Sequence, residues 1–118
     1  MSPERALSFL GLCNVVAGAL VALAPALLMP GADGLGSTAA RLLGASLGIV
    51  LAGSGIGAFR MPGPAVRAYL WVFGIGVKLA AAGAWSAMAV QSGILMLWGG
   101  AALDLGIAAV CGLALARR

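Results

Sequence analysis

Long apolar segments alternate with short polar ones along the chain, and this pattern predicts four helices. The apolar segments cover about residues 3–29, 38–59, 65–90 and 94–116. Each is at least as long as the roughly 20 residues that a helix needs to cross a bilayer. The segments between them are rich in turn-forming residues and read PGADGLGS, RMPGP and QSG. The sequence therefore predicts an all-α, four-helix transmembrane bundle that forms a single domain over residues 1–118.

The composition supports a membrane protein and excludes several functional classes. The chain is 63% hydrophobic and 8% charged, whereas a soluble domain is about 25% charged. Its net charge of +4 comes from basic residues scattered at helix ends, so we expect the lipid bilayer and not nucleic acid as a partner. The chain has no His and three carboxylates, which excludes a His-based triad and most zinc sites. We therefore predict no catalytic residue, no metal and no cofactor.

Two further features are assigned from their surroundings. The N-terminal apolar run lacks a strongly basic leader and is too long for a signal peptide, so we expect a retained first helix. Cys13 and Cys111 both lie in apolar segments and form no CxxC motif. We expect them to be buried thiols.

The basic residues also predict an orientation. With four spans, one side of the membrane receives Arg5, Arg60, Arg67, Arg117 and Arg118. Cytoplasmic loops carry an excess of basic residues. The sequence therefore predicts that both termini are cytoplasmic.

Two charges interrupt the apolar segments at their centres. Lys78 lies within the third predicted helix and Asp104 within the fourth. At a rise of 1.5 Å per residue, each lies about 16 Å from its end of the membrane, close to the midplane. Adjacent antiparallel helices are neighbours in space, and an unpaired charge at this depth costs at least about 2.5–3.5 kcal/mol. We therefore predict an ion pair between Lys78 and Asp104.

Two more polar side chains complete a predicted intramembrane cluster. Asn14 reaches a similar depth on the first helix, with Gly11 and Gly18 above and below it, and its amide is predicted to bridge to the ion pair. Arg41 lies about one turn from the outer surface. It can extend to the headgroups or turn inward toward Asp104.

Small residues on the second helix predict close helix packing. Gly44 and Gly48 are spaced as GxxxG, and so are Gly53 and Gly57. In lipid this spacing lets two backbones approach closely, which repays the cost of Gly in a helix. The alternative is that Gly, at 19 residues, is simply frequent in this chain.

A paired charge has several possible roles. The pair can fix helix order and register, as buried polar groups do in some proteins. It can also serve a proton or ion relay in which Asp104 exchanges protons. In a third interpretation one of the charges pairs with another subunit of a larger assembly.

The pattern of charged residues resembles the small bacterial four-helix membrane proteins described as DoxX-like. The resemblance rests on Arg41, the Arg60-Met61-Pro62 turn, Arg67, Lys78 and Asp104. Some members of that group are quinol-oxidase-associated subunits, so the resemblance implies an accessory role near redox enzymes in a bacterial inner membrane. The small multidrug transporters have a similar length and helix count. Their intramembrane Glu in the first helix is absent here, where Asn14 stands at mid-helix, which argues against their activity.

These features lead to a functional prediction. We expect a non-enzymatic accessory or structural subunit that assembles with other membrane subunits or with itself. The alternative is a small proton- or ion-coupled transporter or channel that uses Lys78 and Asp104. A membrane enzyme ranks third, because no site for a cofactor is visible.

Overall fold

The computed structural model describes residues 1–24 and 38–117, with side chains described for 1–24 and 42–117. These residues form four helices and contain no strand: α1 (Pro3–Leu23), α2 (Thr38–Ala58), α3 (Gly63–Ser92) and α4 (Met96–Ala116). The prediction of an all-α, four-helix protein is confirmed. Residues 25–29 of the predicted first helix and the predicted loop at 30–37 lie outside the described residues.

Three of the helices, α1, α3 and α4, are long and apolar enough to cross a membrane. In α2 the described apolar stretch is shorter, Leu42–Ala58, so a fourth span remains a prediction. Large apolar side chains point outward along the chain, including Leu23, Val90 and Leu95, which are 85%, 73% and 82% exposed. Contiguous apolar surface is rare on soluble monomers, whereas lipid solvates it. The protein is therefore a membrane protein.

Helix α3 changes its winding three times near its start. A 3₁₀ turn over Gly63–Ala65 leads into α-helical Val66–Tyr69, then into a π-helical stretch over Leu70–Gly76, and α-helix resumes over Val77–Ser92. The sequence predicted a turn over residues 60–64 and a helix from 65. Helical winding begins two residues earlier because Pro64 stands in the first turn, where the missing proline N–H is not needed.

The link between α3 and α4 also differs from the prediction by two residues. The helix continues through Ser92, and Gly93 ends it in a left-handed conformation at φ 71° with its N–H bonded to Ala89 O at 2.9 Å. This conformation favours Gly because a Cβ is strained there. Ser92 Oγ also accepts a bond from Ile94 N–H at 3.3 Å, so the link falls at residues 93–95 and not at 91–93.

The chain divides into two compact units. Unit 1 contains Met1–Leu10 and Met61–Arg118, and therefore the first turns of α1 with α3 and α4. The largest fully buried side chains of its core are Leu10, Leu70, Leu97 and Cys111. Unit 2 contains Gly11–Arg60, and therefore the rest of α1 with α2.

Candidate functional site: an intramembrane ion pair

A buried ion pair joins α3 to α4 in unit 1. Lys78 Nζ lies 3.1 Å from Asp104 Oδ1, and the two side chains are only 9% and 11% exposed. The predicted pair is confirmed. Lys78 lies near the middle of α3 (Gly63–Ser92), and Asp104 lies near the middle of α4 (Met96–Ala116). Both helices are long and apolar enough to span a membrane.

The π-helical stretch directly precedes Lys78. At its end the N–H of Val77 bonds to the C=O of Val72, five residues earlier. A π turn holds one more residue than an α turn and rotates the helix that follows it. The face that Lys78 presents to α4 therefore depends on this stretch. Sequence reasoning missed it, because nothing in LWVFGIG distinguishes a π turn from an α turn.

Two close contacts bracket the pair along the helices. A Cβ added at Gly74, one turn before Lys78, would lie 2.7 Å from Cys111 Sγ. A Cβ added at Gly100, one turn before Asp104, would lie 3.0 Å from Trp85 Cδ2. Gly74 of α3 thus leaves room for Cys111 of α4, and Gly100 of α4 leaves room for Trp85 of α3. The two contacts lie on opposite sides of the ion pair along the helices.

Small buried residues fill the space between these contacts: Ala82, Ala101 and Ala108. They leave the two charges enclosed by apolar surface and by each other. In such surroundings each charge depends on its partner, because removing one leaves the other buried and uncompensated.

Asn14 makes its contact in unit 2. Its side chain is buried, and Nδ2 donates to Ser54 Oγ on α2 at 3.5 Å, while Ser54 Oγ donates to Leu51 O at 2.7 Å. Asn14 Oδ1 is buried without a hydrogen-bond partner among the described residues. The sequence predicted a bridge from Asn14 to the ion pair. Within the described part of the chain its Nδ2 bonds to Ser54 Oγ on α2, and the bridge to the ion pair stays a prediction.

The helices of unit 2 approach each other at two pairs of glycines. A Cβ added at Gly55 would lie 2.5 Å from Gly11 O, and one added at Gly48 would lie 2.6 Å from Gly18 O. Within α1 the two glycines are seven residues apart, and so are the two glycines within α2. A spacing of seven residues returns to nearly the same side of a helix after two turns. We call this arrangement the glycine contact.

The glycine contact differs from the predicted GxxxG packing. Of the four predicted glycines, Gly48 lies in the contact. A Cβ added at Gly44, Gly53 or Gly57 would meet no described atom within 4 Å. The observed contact uses a seven-residue spacing, because Gly55 and Gly48 share a stripe of α2 that Gly53 and Gly57 do not. Close packing through Gly44, Gly53 and Gly57 stays a prediction.

Arg41 belongs to α2, and its side chain lies outside the described set, so its predicted choice between headgroups and Asp104 stays a prediction. Arg67, by contrast, has a defined role. Its Nη2 donates to Leu115 O at 2.9 Å, which satisfies a carbonyl that the last turn of α4 leaves without an intrahelical partner. The start of α3 is thereby tied to the end of α4.

Within residues 1–24 and 38–117 no group of three or more His, Cys, Asp or Glu is placed to hold a metal ion. No protein-family model, curated protein or solved structure matches the chain. The DoxX-like resemblance therefore remains a prediction that rests on the residues named for it.

Proposed function

We propose that this protein is a non-enzymatic structural or accessory subunit, which assembles in the membrane with other subunits or with copies of itself. The observation that carries the proposal is the enclosed Lys78–Asp104 pair. Two charges that are 9% and 11% exposed and 3.1 Å apart hold α3 and α4 in one register. A structural subunit needs one defined arrangement of its helices more than it needs a conformational change.

The energetic reason lies in the cost of misalignment. Moving α4 by one residue along α3 shifts Asp104 by about 1.5 Å and rotates it by about 100°. The pair would then be lost in a medium where each unpaired charge costs at least about 2.5–3.5 kcal/mol. The pair therefore selects one arrangement of the two helices against its neighbours in register.

The runner-up is a small proton- or ion-coupled transporter. It is favoured by the π-helical stretch beside Lys78, because π turns occur frequently at functional sites. A proton relay, however, needs a series of titratable groups across the membrane. The chain has no His and three carboxylates. Glu4 stands in the first turn of α1 and Asp33 in the predicted loop at 30–37, so Asp104 alone lies at the centre of a predicted span.

We also propose a bacterial inner membrane as the location, with both termini in the cytoplasm. Support comes from the clustering of basic residues at one end of unit 1. Arg67 reaches Leu115 at the end of α4, and Met1 and Arg117 line one groove. Reporter fusions to each terminus test the orientation: an active periplasmic reporter at either terminus would contradict it.

The first experiment is extraction of the tagged protein from its native membrane in a mild detergent, followed by measurement of particle mass and identification of co-purifying chains. A particle with stoichiometric partners, or a defined multimer of this chain, supports the subunit. A monomeric particle that conducts protons or cations in liposomes contradicts it.

Asp104→Asn separates the two functions. In a structural subunit the change lowers assembly and abundance, and the combination of Lys78→Met with Asp104→Leu restores part of both. In a transporter Asp104→Asn abolishes flux while assembly stays intact. Glu4→Gln is the matched control, because it makes the same acid-to-amide change at an exposed residue in the first turn of α1.

A further inference from the structure

A groove opens at the basic end of unit 1. It has a volume of about 210 Å³ and is lined by Met1, Val110, Leu113, Ala114 and Arg117. Four of these side chains are apolar. The single charged one is Arg117, which directly follows the last residue of α4.

The groove has the composition of a site for one end of a lipid. Leu113 is 68% exposed and Met1 is 48% exposed, so the walls face outward along a helix that is long enough to span the membrane. An acyl chain can lie against Val110 and Leu113 while its headgroup stays level with Arg117 at the helix end. Aliphatic walls below a basic rim fit an amphiphile better than a water-soluble anion.

The end of unit 1 that carries the groove is basic. Besides Arg117, Arg67 is held at this end by its bond to Leu115 O at 2.9 Å. Arg5 is the third residue of α1, and its backbone N–H is bonded to Ser2 Oγ at 3.3 Å. Glu4 is the one acidic residue of this helix turn, so three guanidinium groups outnumber one carboxylate. Basic pockets beside transmembrane helices bind anionic lipid headgroups.

We propose that this groove binds an anionic phospholipid, with its phosphate at Arg117 and one acyl chain along Val110 and Leu113. The bound lipid would contact both the segment that precedes α1 and the end of α4, because Met1 and Arg117 both line the groove. The proposal is independent of the subunit function, since a transporter with this groove would bind the same lipid.

The test measures binding of phosphatidylglycerol and phosphatidylcholine to the full chain in a neutral detergent by native mass spectrometry. We expect phosphatidylglycerol to be retained and phosphatidylcholine not. Arg117→Gln should weaken phosphatidylglycerol binding about fivefold, the equivalent of one basic residue near a lipid surface. Arg60→Gln is the matched control: it removes the same charge from an exposed residue outside the groove and should change binding less than twofold.

Two further arms test the acyl chain. Leu113→Ala should weaken binding about threefold through lost apolar contact, whereas Leu103→Ala, at a residue that is 60% exposed on the same helix, should leave it unchanged. Glycerol phosphate, the headgroup without its chains, should not compete. Equal retention of the two lipids, equal losses in Arg117→Gln and Arg60→Gln, or competition by glycerol phosphate would each overturn the proposal.

Discussion

Two helix contacts among the described residues are built on different principles. In unit 1, α3 and α4 are joined by a charge pair whose atoms lie 3.1 Å apart. In unit 2, α1 and α2 meet at glycines, where a Cβ added at Gly55 would lie 2.5 Å from Gly11 O. The first contact depends on two charged side chains, and the second depends on the lack of a Cβ at the glycines where the backbones meet.

The difference shows how a protein can hold helices together without help from water. Lipid tails are as apolar as leucine, so burial alone does not drive helices together in a bilayer. An ion pair fixes the orientation and the register of two helices. Close contact between two backbones instead adds dispersion attraction between their atoms. The charged contact should therefore fail when one partner is removed, and the glycine contact when one methyl group is added.

The largest effect is expected from breaking the ion pair. Asp104→Leu alone and Lys78→Met alone should each lower the free energy of unfolding by about 3–5 kcal/mol, because each leaves a buried charge without its partner. The double variant should lose much less than the sum. Unfolding in mixed detergent micelles measures all three, and additive losses would show that the two charges do not interact.

The glycine contact should respond next in size. Gly48→Ala should cost about 1–3 kcal/mol, because the new Cβ would lie 2.6 Å from Ala22 N and from Gly18 O, both of them backbone atoms that cannot turn aside. Gly53→Ala on the same helix meets no described atom within 4 Å and should stabilise by up to about 1 kcal/mol. The same unfolding assay compares them, and equal effects would place the contact elsewhere.

A smaller effect is expected at Gly74, where charge and close packing occur together. The added methyl of Gly74→Ala would lie 2.7 Å from Cys111 Sγ, so it meets a side chain. We expect a loss of about 1 kcal/mol, at the low end for overpacking, and recovery when Cys111→Ala is added. Thermal unfolding of the two single variants and the double variant tests this. A double variant as unstable as Gly74→Ala would show that the obstruction is in the backbone.

The smallest effect is expected at Asn14, although it is as deeply buried as the charges. Its Oδ1 has no partner among the described residues and its Nδ2 bond to Ser54 is long, at 3.5 Å. Replacing an unsatisfied polar group by an apolar one removes its desolvation penalty. Asn14→Leu should therefore stay within about 1 kcal/mol of wild type or gain stability, measured beside Asp104→Leu. A loss as large as that of Asp104→Leu would reveal a strong partner for Asn14.

Particular residues show how far the sequence could predict this site. Lys78 and Asp104 were paired by counting residues from the helix ends, because both helices rise by a constant 1.5 Å per residue and share a short link. The same counting placed Asn14 in the middle of its predicted helix but could not name Ser54 as a hydrogen-bond partner, because depth says nothing about the direction in which a side chain points.

Hydrophobic length and charge determined from the sequence alone that this is a helical membrane protein with two opposite charges at matching depth. The tertiary structure decided which atoms meet. With 19 glycines the chain offers many spacings, and only the packing of α1 against α2 singles out Gly11, Gly18, Gly48 and Gly55. The π-helical stretch before Lys78 is likewise seen only in the structure, because π turns are rare and the sequence carries no signal that separates them from α turns.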